Sequence, residues 1–309
     1  MTIKLSLEDK NITINELYNY YIIQNKSINK ISNIVKVDKT VIKRWLKENN
    51  IKIDSDRNCQ KYRFNQYYFD IIDSKEKAYW IGFIWSDGYV CKRKRGNSTM
   101  YEFKLALSEV DESHLEKLKL SLEANYEIKK YDIKGFKTKN QEARLYISNK
   151  YFAKILYDNY GLISHRFDTS KLINNIPKEY YKDFIRGIID AEGSITCKLL
   201  EFTKSSREEF SLGITTYEEI LVFINNVLIE NGLTETVYKL TKRHLEKDEY
   251  CKVLNITGNN IVFNILDWIY GDSSIFLERK YNKFIHVKEY RNNYIKEKGG
   301  INNGKGQII

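Results

Sequence analysis

The chain has 309 residues, of which 42% are hydrophobic and 14% aromatic, enough for about two domains with packed cores at roughly 150 residues each. No apolar run approaches the ~20 residues of a membrane-spanning helix, and the first ten residues carry no signal-peptide pattern. With 51 Lys and Arg against 41 Asp and Glu the net charge is +10, which points to a polyanionic partner, while the lack of such a run and of a signal pattern argues against a secreted or membrane protein.

Residues 14–53 predict three short helices. Leu17, Tyr20 and Tyr21 mark the first, and Ile28, Ile31 and Ile34 the second. Asp38 caps a third, in which Val41, Ile42, Trp45 and Leu46 share one face. Residues 1–61 hold 12 basic and 7 acidic residues, half of the whole charge excess. This is a small basic trihelical module. From Asp73 the pattern changes and then repeats. The apolar run Ala78 to Trp85 predicts a helix, followed by strands at 88–95 and 99–108, a helix at 111–122, strands at 125–133 and 140–148, and a helix at 149–160. A second series has a helix at 179–192, strands at 193–200 and 206–215, a helix at 217–231, strands at 235–242 and 250–257, and a helix at 259–270. Asn149, Ile155, Leu156, Tyr160 and Gly161 match Asn259, Ile265, Leu266, Tyr270 and Gly271 at an offset of 110, so two tandem αββαββα units are expected. Arg291 to Ile309, rich in Gly, Asn and Lys, predicts a flexible tail.

The first helix of each unit ends alike, in Gly82-Phe83-Ile84-Trp85-Ser86-Asp87-Gly88 and Gly187-Ile188-Ile189-Asp190-Ala191-Glu192-Gly193. Gly82 with Ser86, and Gly187 with Ala191, put small residues on one helical face, where two backbones can approach closely. Each helix then closes on a carboxylate and on a glycine suited to a left-handed C-terminal position. A carboxylate there faces the negative end of the helix dipole, at a cost of roughly a few tenths of a kcal/mol or more. Two such charges meeting at one point call for bound divalent cations, and paired carboxylates with Mg²⁺ beside a basic surface suggest phosphodiester hydrolysis. One such segment is most simply an ordinary buried helix end. Two of them 105 residues apart, heading parallel repeats, are not.

On these residues the chain resembles the LAGLIDADG homing endonucleases, over about residues 65–290. The segments Trp80 to Gly88 and Ile185 to Gly193 are similar to the family's two degenerate nonapeptides, and the flanks Ala78-Tyr79-Trp80 and Asp183-Phe184-Ile185-Arg186 fit as well. The resemblance implies an α+β fold: an N-terminal trihelical helix-turn-helix, then two αββαββα repeats forming a saddle over double-stranded DNA. Two motifs in one chain imply a monomer. Asp87 and Glu192 would be the metal-binding catalytic acids, Ser86 and Ala191 would offer backbone carbonyls to Mg²⁺ (or Mn²⁺ in its place), and cleavage of both strands would leave short 3′ overhangs. Trp85 departs from the small or acidic residue usual in the first motif, and Glu192 from the commoner Asp. Aligning His165-Arg166-Phe167 with Arg279-Lys280-Tyr281 makes Arg166 and Lys280 the candidates for the basic residue that the family places near its active site. Expected boundaries are 1–61 for the helix-turn-helix domain, 62–163 and 164–290 for the repeats, and 291–309 for the tail.

After Gly88 the strand carries Lys92, Arg93, Lys94 and Arg95, of which alternate residues share a face, so either Lys92 and Lys94 or Arg93 and Arg95 would meet DNA. Lys129, Lys130, Lys134, Lys137 and Lys139, with Lys239, Lys242, Arg243 and Lys247, add charge near the turns, and Tyr101, Tyr131, Tyr146 and Tyr238 are interspersed. The stretch Ser27 to Leu46 resembles a helix-turn-helix of the resolvase or transposase type, whose third helix would present Lys39, Thr40, Lys43 and Arg44. Lys36 stands where its turn often has glycine, which predicts a looser turn.

Cys59, Cys91, Cys197 and Cys251 form no CxxC pair, which argues against a disulfide framework or cysteine-zinc site and suits a reducing cytoplasm. His114, His165, His244 and His286 form no histidine-metal finger. Two rival functions stay open: a non-cleaving transcription regulator on the same fold, and a maturase whose partner is the host intron RNA.

Overall fold

The computed structural model describes residues 12–24, 26–51, 53, 62–95, 98–133, 141–162, 169–202, 205–242 and 251–303. They fall into two compact units, Met1–Arg63 and Phe64–Ile309. In the first, α1 (Ile14–Tyr18) starts in a capping box: Thr13 Oγ1 accepts from Glu16 N at 3.2 Å, and Glu16 Oε2 accepts from Thr13 N at 2.8 Å. It continues as a π-helical turn, Asn19–Ile23. Ser27 caps α2 (Ile28–Val35), and Asp38 caps α3 (Lys39–Glu48) by accepting from Thr40 N at 2.8 Å. Leu17, Tyr21, Ile28, Ile31, Val37, Ile42 and Leu46 form the core.

Two details differ from expectation. Ile34 is 44% exposed, because three-residue steps along a helix drift about 60° each and carry it off the face of Ile28 and Ile31. The α2–α3 turn is tight rather than loose: Lys36 itself takes the left-handed conformation, at φ 56° and ψ 37°. That costs about 1–2 kcal/mol, and Ser32 Oγ, donating to Val37 O at 2.6 Å, holds the turn closed.

The second unit runs α4 (Lys75–Asp87), β1 (Gly88–Arg95), β2 (Ser98–Ser108), α5 (Glu112–Ser121), β3 (Lys129–Asp132), β4 (Gln141–Ile147) and α6 (Lys150–Tyr160). After the short α7 (Ser170–Asn174) come α8 (Tyr181–Glu192), β5 (Gly193–Phe202), β6 (Ser205–Tyr217), α9 (Glu218–Glu230), β7 (Thr241–Lys242), β8 (Cys251–Thr257) and α10 (Asn259–Tyr270). Both αββαββα series are therefore present. Each forms a four-stranded antiparallel sheet of the same topology, β1-β2-β4-β3 and β5-β6-β8-β7. One face of each sheet is apolar and covered by helices: Val90, Phe103, Leu105, Ala143 and Leu145 in the first, Ile195, Phe210, Leu212, Leu254 and Ile256 in the second. The other face is open.

The expected tail is corrected as far as Asn303. A last helix, α11 (Glu278–Asn303), continues into it from residues before 291, where Lys280, Phe284 and Val287 recur at helical spacing and are buried. Residues 304–309 lie outside the described part. No helix among the described residues is long and apolar enough to cross a membrane.

Candidate active site and nucleic-acid interface

Helices α4 and α8 pack face to face at the centre of the second unit, with Ala78 to Ser86 and Asp183 to Asp190 all buried. Their glycines set the distance. A Cβ on Gly82 would lie 2.3 Å from the carbonyl oxygen of Phe184, and one on Gly187 would lie 2.1 Å from that of Tyr79. These contacts are mates: 82 and 187, like 79 and 184, differ by the 105 residues that separate the motif acids. The pair is thus self-complementary about a local two-fold, as an isologous interface is. Ser86 uses its small side chain differently, donating from Oγ to Gly82 O at 3.1 Å.

Asp87 ends α4 and is exposed; Glu192 ends α8 and is partly buried. Each precedes the glycine that opens the first strand of its sheet. Gly88 and Gly193 are extended, with φ −82° and −78°, and not left-handed as expected. Glycine is required there by close approach instead: a Cβ would lie 2.3 Å from Ile84 O and 2.4 Å from Ile189 O.

Behind α8 lies a buried polar network that no sequence pattern announces. Asp190 is fully buried. Its Oδ2 accepts from Tyr79 OH at 2.7 Å and from Leu277 N at 2.7 Å, and its Oδ1 from Tyr270 OH. Burial pushes its pKa up to about 6, against the pull of those three donors. Since the Tyr79 hydroxyl is donated to Asp190, it accepts from His114 Nε2 at 2.8 Å, which fixes the histidine tautomer. Burial, aided by the Lys117 and Arg279 charges, holds His114 neutral with a pKa down to about 3. Arg186 and Asp183 form a buried pair at 2.7 Å, and Arg186 also donates to the carbonyls of Ile275 and Ile269.

This network reaches a predicted site residue. Leu277, held by Asp190, offers its carbonyl to Lys280 N at 2.9 Å and Tyr281 N at 3.0 Å, so Asp190 anchors the first turn of α11. Lys280 is 4% exposed. Burial and the neighbouring Arg279 charge bring its pKa down to about 8. Its proposed counterpart, Arg166, lies outside the described residues.

The open face of the first sheet is basic and aromatic. Alternation settles the choice left on β1: Lys92 stands over the rings of Tyr101 and Tyr157 at 5.6 and 5.3 Å, on the helix-covered side, and Lys94 shares its parity. Arg93 lies on the open side, where its Nε donates to Cys91 Sγ at 2.9 Å; the side chain of Arg95 is not described. Lys129 pairs in register with Arg144, on the open face. Lys130 is opposite buried Ala143 and is tied to Glu109 and Glu112 at 2.9 and 2.8 Å, so it leaves that face. Lys104 and Arg144, absent from the residues expected to meet DNA, complete the patch. Lys104 faces Tyr146 across the ladder, and Arg144 stacks 4.3 Å from the Tyr131 ring. Their signal was the alternation with buried Phe103, Leu105, Ala143 and Leu145. The open face of the second sheet is instead hydroxyl-rich, with Thr196 bonded to Ser211. Lys242, on the edge strand β7, pairs with Lys252, which lies opposite buried Thr216 in β6, so like Lys130 it leaves the open face. Arg243, Lys247, Lys134, Lys137 and Lys139 lie outside the described residues. In the N-terminal unit Lys39, Thr40, Lys43 and Arg44 lie on α3, with Arg44 3.8 Å from Glu48.

No family model matches the chain, and no curated protein does. Solved structures do. The I-SmaMI LAGLIDADG homing endonuclease bound to cleaved DNA aligns at TM-score 0.48 and 15% identity, over 75% of this chain and 95% of that one. The I-LtrWI LAGLIDADG homing endonuclease bound to target DNA aligns at 0.46 and 13%, over 74% and 96%. The LAGLIDADG meganuclease I-AabMI bound to uncleaved DNA aligns at 0.47 and 14%, over 70% and 91%. Many of the structural neighbours are LAGLIDADG homing endonucleases. At this identity, activity, substrate and metal rest on the chain's own residues. Asp190 stands inside the second motif segment, Gly187 to Gly193, but nothing in that segment marks it as the centre of a buried network. Tyr79, Tyr270 and His114 come from three other helices, and no local spacing connects them.

Proposed function

We propose that this protein is a site-specific double-strand DNA endonuclease acting as a monomer, with Asp87 and Glu192 as its metal-holding acids. The reciprocal contact of Gly82 and Gly187 with the facing helix backbone carries this reading. It gives two helices no freedom to slide apart and brings one carboxylate to each of their ends. Both acids face a negative helix end, and both supply the hard oxygen donors that a Mg²⁺-class ion takes. The donor set therefore fits the ion, with the backbone carbonyls of Ser86 and Ala191 as further ligands. Bound there, the ion would supply an activated water and charge stabilisation for the leaving oxygen.

The chain's own groups do the rest. Lys280, with its pKa near 8, holds or releases a proton close to neutral pH and can place its charge on a phosphate oxygen; Arg166 would be its counterpart. Arg93, Lys104, Lys129 and Arg144 track phosphates along the first sheet, while Tyr89, Tyr131 and Tyr146 lie among them. Lys39, Thr40, Lys43 and Arg44 give the trihelical unit a recognition helix that adds affinity without chemistry. Hydrolysis at two phosphates by two opposed acids is the expected source of short 3′ overhangs.

The test is to incubate the purified chain with Mg²⁺ and a randomised duplex library and sequence the cut ends. One consistent cut site is expected, lost with Asp87→Asn or Glu192→Gln while binding to that site persists. Cleavage by both variants at the wild-type rate removes these acids from the chemistry. Binding of a defined site with no cutting in Mg²⁺ or Mn²⁺ establishes a regulator instead.

A further inference from the structure

Three side chains from three elements converge on the helix-covered side of the second sheet, apart from the motif acids. Cys197 lies on β5 and Glu208 on β6. The register pairs Cys197 with Phe210 and Leu199 with Glu208, so the two are diagonal neighbours on one face. His286, from α11, stands over them with its ring edge-on to Phe210 at 5.7 Å and its Nε2 3.0 Å from Glu208 Oε2. One sulfur, one carboxylate oxygen and one imidazole nitrogen lie within 4.8 Å of one another.

The cluster is better suited to a cation than to itself. Glu208 Oε2 is buried, with His286 Nε2 at 3.0 Å and the Cys197 thiol beside it, so the three side chains already converge on one point. The backbone that carries Glu208 is fixed from both sides: Asn259 Nδ2 donates to Glu208 O at 2.8 Å, Asn259 Oδ1 accepts from Phe210 N at 2.9 Å, and Glu208 N donates to Tyr290 OH at 3.3 Å. Such outer contacts orient ligands in metal sites. Around a tetrahedral Zn²⁺ the donor atoms stand about 3.3–3.8 Å apart, so side-chain rotation alone closes the gap from the present spacing. Cys197 is exposed and the His286 side chain 52% exposed, which leaves the site open to an entering ion.

We propose that Cys197, Glu208 and His286 form a three-ligand site for a borderline-soft ion of the Zn²⁺ class, its fourth position taken by water, which clamps α11 to the second sheet. Thiolate and imidazole donors exclude Mg²⁺, so this site is separate in chemistry as well as in place from the one at Asp87 and Glu192. Helix α11 is then held twice, at its first turn by Asp190 through Leu277 and again at His286. Each binding event releases the thiol proton. No linear pattern announces the site, since the ligands lie 11 and 78 residues apart in no recognised spacing.

The test uses the full chain, stripped with chelator and titrated with Co²⁺ as a spectroscopic stand-in for Zn²⁺. One thiolate-bound Co²⁺ per chain is expected, read as a thiolate-to-metal charge-transfer band that saturates at one equivalent of that site, and that Zn²⁺ displaces and millimolar Mg²⁺ does not. Cys197→Ser should abolish the band, and His286→Gln should weaken binding at least about tenfold. Cys91→Ser and Asp87→Asn should leave the band in place. Circular dichroism and melting in chelator, expected to match the wild type for each variant, separate lost ligation from lost folding. No thiolate band in the wild type, a band that survives Cys197→Ser, or affinity untouched by His286→Gln would each overturn the proposal.

Discussion

Replacing Gly187 with Ala tests the helix pair on which the site depends. In an ordinary helix interior the change is favourable by about 0.8–1 kcal/mol. Here the new Cβ would lie 2.1 Å from Tyr79 O and 2.8 Å from Phe83 N, both backbone atoms of the facing helix. Neither can swing aside as a flexible side chain would. Reaching an ordinary separation near 3.4 Å requires α4 and α8 to move apart by about 1.3 Å, which loosens packing along the whole central interface. Overpacking of this kind costs about 1–3 kcal/mol, or more where backbone must move, and so outweighs the propensity gain. For a domain of this size each kcal/mol lowers the melting point by about 2–4 °C, so a net loss of 1–2 kcal/mol appears as a fall of about 2–8 °C by calorimetry. A misplacement of about 1 Å between catalytic groups can cost 10²-fold in rate, and cleavage should fall by that order while DNA binding persists. Gly82→Ala, facing Phe184 O at 2.3 Å, should behave alike. A Gly187→Ala protein that melts at or above the wild-type temperature and cuts normally would refute the argument.

Three further outcomes follow from particular side chains. Asp190 has a pKa of about 6 in the fold against an ordinary value of 3.8, so its stabilising contribution is full below pH 4 and is lost as pH rises through 6, about 3 kcal/mol in all. The difference in urea unfolding free energy between wild type and Asp190→Asn should therefore change across about pH 4–6, on top of a constant loss from the unmet Leu277 N–H; a flat difference contradicts the burial argument. Lys280→Met should leave urea stability unchanged or raised, because a 4%-exposed ammonium is replaced by an apolar chain of similar length, yet reduce cleavage by about tenfold or more. Deleting residues 1–61 should weaken DNA binding and lower the slope of log K against log salt by about one for each phosphate that the module neutralises; an unchanged slope denies the module a role in binding.

How much of this was legible depended on the range of the signal. The two αββαββα series were readable because strand alternation and helical spacing are local, and a repeated motif fixes register. The helix α11 was not. The Gly, Asn and Lys content after residue 290 reads as tail, and the buried positions Lys280, Phe284 and Val287 that precede it acquire meaning only once a sheet lies beneath them. The choice between Lys92 and Arg93 stayed open in the sequence because alternation gives two faces; buried Val90, of the same parity as Lys92, and Tyr157 on α6 beside the Lys92 ammonium decide it. Lys36 shows the reverse case, a local rule that named the strained position and misjudged how it is relieved. Motif residues Asp87 and Glu192 stood out because their charge is wrong for a helix end. Tyr79, His114 and Tyr270 did not, since an aromatic or histidine on an apolar face looks like core until its buried partner is known.

The two-fold at the centre is kept where backbone meets backbone and abandoned immediately beyond. Residue 85 in the first half corresponds to residue 190 in the second, and both are buried, yet one is Trp and the other Asp. Trp85 packs edge-on against Tyr217 of the second half at 5.8 Å, while Asp190 reaches back to Tyr79 of the first. In a symmetric dimer these positions would have to be identical: two tryptophans competing for one space, or two buried carboxylates in one interface, each lacking a compensating cation. Joined in a single chain, the halves escape that constraint. One position can fill volume while the other collects two tyrosine hydroxyls and the amide of Leu277. The glycines cannot diverge in the same way, because each accommodates a carbonyl of the other helix and either substitution moves both. That division, fixed at the backbone contact and free at the side chains around it, is what two motifs joined in one chain permit and two identical chains do not.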